Sequence, residues 1–228
     1  QLLLGTRASR PFFLRTPMIS VEDLASGAGA SVEVIERMAA RLPEQVDFLI
    51  RRHPKRHGGT RQIIKPLIPL DALTKNLHRM LSRDLPYVAQ PHVYGFVKGR
   101  STRGNAAQHL DKECVLRVDL DDFFPSISRE SVAAALEERG LEPSAAELCS
   151  RVTTIDGSLP IGLSTSPLFS NIVFDKTDGE LARLAIREGL VFTRYVDDLT
   201  FSGNVSDPHL ERVSAVLEEN GWLVNRRK

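Results

Sequence analysis

Two runs of carboxylates set into apolar sequence constrain this chain more than any other feature. They are Val118-Asp119-Leu120-Asp121-Asp122-Phe123-Phe124 and Tyr195-Val196-Asp197-Asp198-Leu199. Adjacent like charges at the end of a buried strand repel, and they cost stability unless a cation neutralises them. One Asp-Asp pair reads as an acidic turn on a solvated surface. Two pairs, each embedded among Phe, Leu, Val and Tyr, point instead to a built site. Side chains alternate along a strand, so Asp119 and Asp121 are expected on one side with Asp122 opposite. In a tight hairpin turn, Asp197 and Asp198 can converge on Asp119 of a neighbouring strand. Three hard oxygen ligands suit Mg²⁺, which keeps waters and completes its shell with substrate phosphates. Two such ions about 4 Å apart would activate an attacking hydroxyl and stabilise a leaving pyrophosphate.

The surrounding chain is that of a globular protein. Its 228 residues, 42% of them apolar, suffice for a real core. Thirty Lys and Arg stand against 29 Asp and Glu, a net charge of +1, so bulk charge does not announce a nucleic-acid binder. No apolar run approaches the roughly 18 residues that cross a bilayer, so no membrane role is expected. Cys114 and Cys149 make neither a CxxC nor a zinc spacing, which fits a reducing cytoplasm better than a disulfide scaffold. The chain opens on Gln1 with a Leu2-Leu3-Leu4 patch ahead of Arg7 and Arg10, too short and in the wrong order for a secretory signal.

Periodicity and punctuation give an α+β order. Ser20 with Asp23 starts a helix that stops at Gly27 to Ala30, and Ser31 opens a second with Val34, Ile35, Met38 and Leu42 on one face. The pair resembles a helix-turn-helix, or a packing or RNA-contacting extension. Residues 46–65 read as a hairpin, with Val46, Phe48 and Ile50 alternating before a turn at Gly58-Gly59. From Arg51 to Lys65 lie Arg51, Arg52, Lys55, Arg56, Arg61 and Lys65 with no acid, a suitable grip for phosphates. Asp71 to Leu85 is an amphipathic helix, and Val115 to Leu120 a short buried strand. Ser128 caps a helix through Arg139, a second follows Pro143, and a third runs from Pro167 toward Gly189. Leu190 to Tyr195 and Leu199 to Ser202 are strands, Asp207 to Asn220 a helix, and Trp222 to Val224 a last strand. Strand, helix, hairpin, helix, strand suits a ferredoxin-like sandwich.

Here the residues resemble a known family. Tyr195-Val196-Asp197-Asp198 resembles the YxDD box of reverse transcriptases, and the run from Val118 to Phe124 resembles their first catalytic motif. Leu159-Pro160-Ile161-Gly162-Leu163-Ser164-Thr165-Ser166-Pro167 followed by Asn171 resembles their LPQGxxxSPxxxN motif. The likeness covers about Val46 to Lys228. More finely, Gly95-Phe96-Val97-Lys98-Gly99-Arg100-Ser101, Asn105-Ala106-Ala107-Gln108-His109 and Arg194 to Ser202 resemble bacterial retron-type enzymes. Group II intron and other defence-associated reverse transcriptases share much of this.

The resemblance implies a right-hand polymerase fold, fingers plus a ferredoxin-like palm. Residues 1–45 would form an N-terminal helical extension, 46–112 the fingers and 113–228 the palm, with a fingers excursion at about 129–157. The chain stops at Lys228, before the primer grip and thumb of that family. Asp119, Asp197 and Asp198 would hold two Mg²⁺ ions, replaceable by Mn²⁺, with the Leu120 carbonyl as a further ligand. Phe124 falls where the family places its sugar gate, though periodicity alone fits a core Phe equally. Lys55, or Arg56 in a shifted register, and Arg61 would grip the triphosphate. Gly162 would let backbone approach the nucleotide, and Lys228, last in Asn225-Arg226-Arg227-Lys228, would neutralise pyrophosphate. Ile161, at the nucleotide-binding position where the family usually has Gln, has a side chain that cannot hydrogen-bond. Lys98, Arg100, Asn105 and His109 would contact nucleic acid, and Tyr94 and Phe96 could stack unpaired bases or lie in the core. The implied activity is RNA-directed DNA synthesis from deoxynucleotides on a structured non-coding RNA, giving an RNA-linked DNA in phage defence with an effector or toxin protein. A group II intron or other defence enzyme, or a palm retained as an RNA-binding scaffold, are the alternatives.

Overall fold

A computed structural model of the chain describes residues 18–55 and 59–225. Two short helices come first, α1 (Val21–Ala28) and α2 (Val32–Arg41). Ser20 and Asp23 form a reciprocal cap on α1, and Gly29 ends it in the left-handed region at φ 70°. Leu24, Ala25, Ala28, Ile35 and Ala39 all enter the main core, and the two helices pack on α3 (Ile68–Asp84) and α7 (Pro143–Thr153). The pair is thus a packing extension, not a free helix-turn-helix. Val34, expected on the buried face of α2, is exposed; Ala39 takes the inward position instead.

The antiparallel hairpin β1 (Phe48–Pro54) and β2 (Thr60–Pro66) runs in full register from Phe48 opposite Pro66 to Pro54 opposite Thr60. Only its base is buried. Phe48 and Ile64 join Leu42, Leu70, Ile155 and Leu163 in a second, smaller cluster. Burying a side chain of that size is worth about 1.5–3 kcal/mol, so the base anchors two strands whose outer residues are mostly exposed. Helix α3 begins three residues before the expected Asp71, because Pro69 fits the first turn, where no backbone donor is needed.

After α4 (Thr102–Ala107) comes β3 (Cys114–Asp119), then α5 (Phe123–Ser126), α6 (Arg129–Glu138), α7, the long α8 (Ser166–Arg187), β4 (Val191–Tyr195), β5 (Asp198–Gly203) and α9 (Asp207–Glu219). The strand order is β3-β5-β4, all antiparallel. Paired residues share a face. One face of the sheet therefore carries Val118, Leu116, Leu199, Phe201, Phe192 and Arg194, and its apolar members join the core with α8 and α9. The other carries Arg117, Asp119, Thr193, Asp198, Thr200 and Ser202 and is mainly polar, with Val115 and Val191 flanking Ser202 at its far end. The expected last strand, Trp222 to Val224, shrinks to one bridge between Leu120 and Val224. Trp222 is instead drawn into the core, where its indole N–H donates to Thr177 at 3.0 Å.

The strand before the first acids also ends sooner than alternation implied. β3 stops at Asp119, Asp122 turns into the left-handed region at φ 41°, and Asp121 and Asp122 are exposed. Among the described residues, no helix is long and apolar enough to cross a membrane.

Candidate active site

Three strand ends meet at the acids. Asp198 opens β5 and lies opposite both Asp119 and Tyr195. The turn between β4 and β5 is Val196-Asp197, with Val196 at φ 63°, a rare conformation for a β-branched residue. Leu120 N–H donates to the Asp197 carbonyl at 3.1 Å, tying the turn to the end of β3. One carboxylate oxygen from each of Asp119, Asp197 and Asp198 then lies within 4.8 Å of the others. The donors are all oxygens, with neither His nor Cys among them, so the set fits a hard divalent cation. Asp121 and Asp122 stand outside it.

Asp119 and Asp198 are each oriented by a neighbour, and so is Asp122 beside them. Asn225 Nδ2 donates to Asp119 Oδ2 at 2.9 Å, and its N–H donates to the Asp119 carbonyl at 2.8 Å. Arg117 donates to Asp198 Oδ1 at 2.9 Å. Lys55 reaches from the hairpin to Asp122 Oδ1 at 2.5 Å. That contact ties the end of β1 to the turn that follows β3. Arg61, on β2, lies opposite His53 of β1 and is exposed.

Beneath the turn lies a buried polar network. Arg194 is fully buried on the apolar face of the sheet, stacked 4.7 Å from the Phe174 ring. Its guanidinium donates to Asp178 at 2.8 and 2.6 Å, to Asn171 Oδ1 at 3.1 Å and to the Val196 carbonyl at 2.9 Å. Burial pushes the Asp178 carboxyl up, against the pull of Arg194. Asn171 in turn donates to the Gly95 carbonyl at 3.0 Å. Gly95 is obligatory here: a Cβ would lie 2.5 Å from Val196 N. The SPxxxN, GF and YVDD segments are therefore one unit. Sequence reasoning quoted Asn171 and Arg194 but missed their pairing; the available signal was a cation in phase with Phe192 on a core-facing strand.

Other expectations change. Gly162 does make a close backbone approach, but to the hairpin. At φ 121° its missing Cβ would sit 2.0 Å from the Ile64 carbonyl, and Ile64 N–H donates to the Ile161 carbonyl at 2.7 Å. Position 161 thus serves the hairpin through its main chain, which Ile supplies as well as Gln. Gly162→Ala is expected to cost about 1–3 kcal/mol from backbone strain alone and to unseat the hairpin. Limited proteolysis, with faster cutting in the β1–β2 hairpin while the helices stay protected, checks this.

The Arg100 guanidinium donates to the carbonyls of Ala89, Gln90 and Val93, a structural role that sequence did not announce. His109 also has partners within the fold. One ring nitrogen lies 2.6 Å from Ser202 Oγ and the other 2.7 Å from Thr193 Oγ1, so the ring clamps β5 to β4 on the polar face. Lys98 is exposed, whereas Asn105 is half-buried with its Oδ1 enclosed and unpartnered. Phe124 is half-buried and meets Phe123 and Phe96 edge-on. Lys228 and Arg56 lie outside the described residues.

Burial lowers the pKa of His78, His92 and His109 below the ordinary 6.5. The folded state then binds fewer protons than the unfolded one as pH falls through 6.5, so stability rises with pH across that range. Thermal unfolding at pH 5.5 should begin at a lower temperature than at pH 7.5.

The sheet, the convergent acids and the overhanging hairpin define a right-hand polymerase fold with fingers and palm. Residues 53–228 match the family described as reverse transcriptase (RNA-dependent DNA polymerase), and the chain belongs to that family. Among bacterial relatives it is 37% identical to the retron Mx65 reverse transcriptase of Myxococcus xanthus, across 91% of this chain and 53% of that protein. It is 32% identical to the retron Mx162 reverse transcriptase of the same organism, across 93% and 50%. The retron Ec86 reverse transcriptase of Escherichia coli is 26% identical, across 92% and 66%. The chain spans about half the length of the two Myxococcus relatives. Among solved structures, a telomerase from Candida albicans with a fragment of telomeric RNA superposes with a TM-score of 0.54 at 14% identity, covering 86% of this chain and 46% of that one. A telomerase from Candida tropicalis gives 0.51 at 15%, covering 82% and 50%. These two likenesses concern the fold.

Proposed function

We propose that this chain is the fingers and palm of a retron-type RNA-directed DNA polymerase. The observation that carries this is the convergence of Asp119, Asp197 and Asp198 on one point beneath a basic hairpin. A primer hydroxyl gives up its proton and attacks the α-phosphorus of a deoxynucleotide; the new P–O bond forms as the bond to pyrophosphate breaks. Asp119, Asp197 and Asp198, with the Leu120 carbonyl, would hold two Mg²⁺ ions, which supply charge neutralisation and a lowered hydroxyl pKa. Lys55 and Arg61 draw the triphosphate under the hairpin, and Phe124 excludes a ribose 2′-OH. For Lys55 this means exchanging the Asp122 carboxylate for phosphate. Lys98 and Asn105 are assigned to the nucleic acid, and Lys228 to the pyrophosphate. The hairpin and residues to 112, with the 129–157 excursion, act as fingers on a palm of the remaining residues, behind an extension ending near 45.

Template and primer come from a structured RNA, as suits a relative of retron enzymes, and the RNA-linked DNA serves phage defence with an effector protein in the cytoplasm. The test is to purify the full gene product and analyse the nucleic acid that accompanies it, with an Asp197→Ala, Asp198→Ala double variant as control. RNA-linked DNA of discrete length, absent from the variant, is expected. The same RNA without DNA in both proteins sinks the reading and leaves an RNA-binding scaffold.

A further inference from the structure

Phe96 combines three features that rarely meet in one residue. It is an aromatic side chain with φ 60°, in the left-handed region that bulky residues avoid. It is 52% exposed rather than packed away. And it follows a segment that runs along β4 to the acid-bearing turn: Arg194 N–H donates to the His92 carbonyl at 2.9 Å and Tyr94 N–H to the Arg194 carbonyl at 2.8 Å, and Gly95 lies against Val196. Strained residues persist only where their surroundings over-determine them, and they gather at functional sites. Here the determinants are visible. Gly95 is pressed against the backbone of Val196, and its carbonyl is held by Asn171. The conformation at Phe96 is therefore set by the same network that sets the catalytic turn.

That conformation brings the Phe96 ring against Phe124, with centroids 6.1 Å apart and planes at 70°. Phe124 also meets Phe123 edge-on at 5.6 Å, and Phe123 is anchored in the core against Phe174 and Trp222. Phe124 is thus braced from the core side by Phe123 and from the solvent side by Phe96. A ring that must exclude one hydroxyl has to be held from both sides, since a rotation of its plane would open the space it closes. We infer that Phe96 is a positioning residue for discrimination between deoxyribose and ribose, acting by fixing the Phe124 ring. The inference rests on the reading of Phe124 as the sugar gate.

The experiment measures kcat/KM for a deoxynucleotide and the matching ribonucleotide on a primed RNA template, using the full gene product. Phe124→Ala is expected to lower the deoxy/ribo ratio about 100-fold, the scale on which a site separates partners differing by one hydroxyl. Phe96→Ala should lower it about fivefold, the scale of one aromatic pair, chiefly through a lower ribonucleotide KM. Phe96→Gly removes both the ring and the strain and should behave like Phe96→Ala, whereas Phe96→Tyr restores the ratio. If Phe124→Ala lowers the ratio and Phe96→Ala and Phe96→Gly leave it at the wild-type value, the bracing role is overturned and the gate stands. If none of the three changes it, the gate reading fails and takes the bracing role with it.

Discussion

Asp119→Asn should abolish deoxynucleotide incorporation, by about a thousandfold or more, without lowering the unfolding temperature of the metal-free protein. The substitution keeps shape, and the Asn225 side chain still finds an oxygen to donate to. It removes one charge of three whose oxygens lie within 4.8 Å of one another. Metal-ion charge stabilisation contributes several kcal/mol to a transition state, and each 1.36 kcal/mol is tenfold in rate. In the absence of a cation the same three charges repel, so neutralising one relieves the fold. Loss of rate together with weaker Mn²⁺ binding by titration calorimetry, and no loss of Tm in chelator, is the expected pattern. A fall in Tm of several degrees in chelator would instead assign Asp119 a structural role.

Asp178→Ala should be the most destabilising of the changes considered. Arg194 would be left fully buried without its carboxylate, and breaking a buried pair from one side costs about 3–5 kcal/mol. For a chain of this size that corresponds to a fall in Tm of about 10 °C. Replacing both partners, Asp178→Leu with Arg194→Met, removes the uncompensated charge and should recover most of the loss. It does not recover the hydrogen bond to the Val196 carbonyl or the hold on Asn171. The double variant is therefore expected to be stable but slow, and calorimetry alongside incorporation kinetics checks this. Equal stability of wild type and Asp178→Ala would contradict the role assigned to the pair.

Local chemistry made much of this legible from sequence. Asp119, Asp197 and Asp198 announced themselves because charge inside apolar strand sequence demands a reason. Ser20, Ser128, Pro143 and the stretch Gly27 to Ala30 marked helix ends through rules that act within a few residues. The long-range partners were not legible. Gly162 showed that something comes close, not that it is Ile64, roughly a hundred positions earlier. His109 carries the same two nitrogens whether it meets RNA or clamps Ser202 and Thr193. Arg100 reads as a free cation until the turn at 89–93 wraps its carbonyls around it. In each case a side chain states a need, and topology chooses what meets it. Trp222 to Val224 differed for a related reason: an apolar triplet fits a strand, but the indole found a better place among Phe123 and Phe174.

The ion pairs at the cleft bear on how it fills. Lys55 on Asp122 and Arg117 on Asp198 give the resting site its own counter-ions. On the proposed reading, a nucleotide arriving with its cations would perform an exchange: phosphate would take Lys55 from Asp122, and the cations would take over Asp198, which Arg117 already partly neutralises. Exposed pairs of this kind are worth only about 0–1 kcal/mol each, so the exchange is cheap in both directions. Entry and release would then share one low threshold, as the proposed polymerase needs if it is to accept a new monomer and discharge pyrophosphate at every step along a strand.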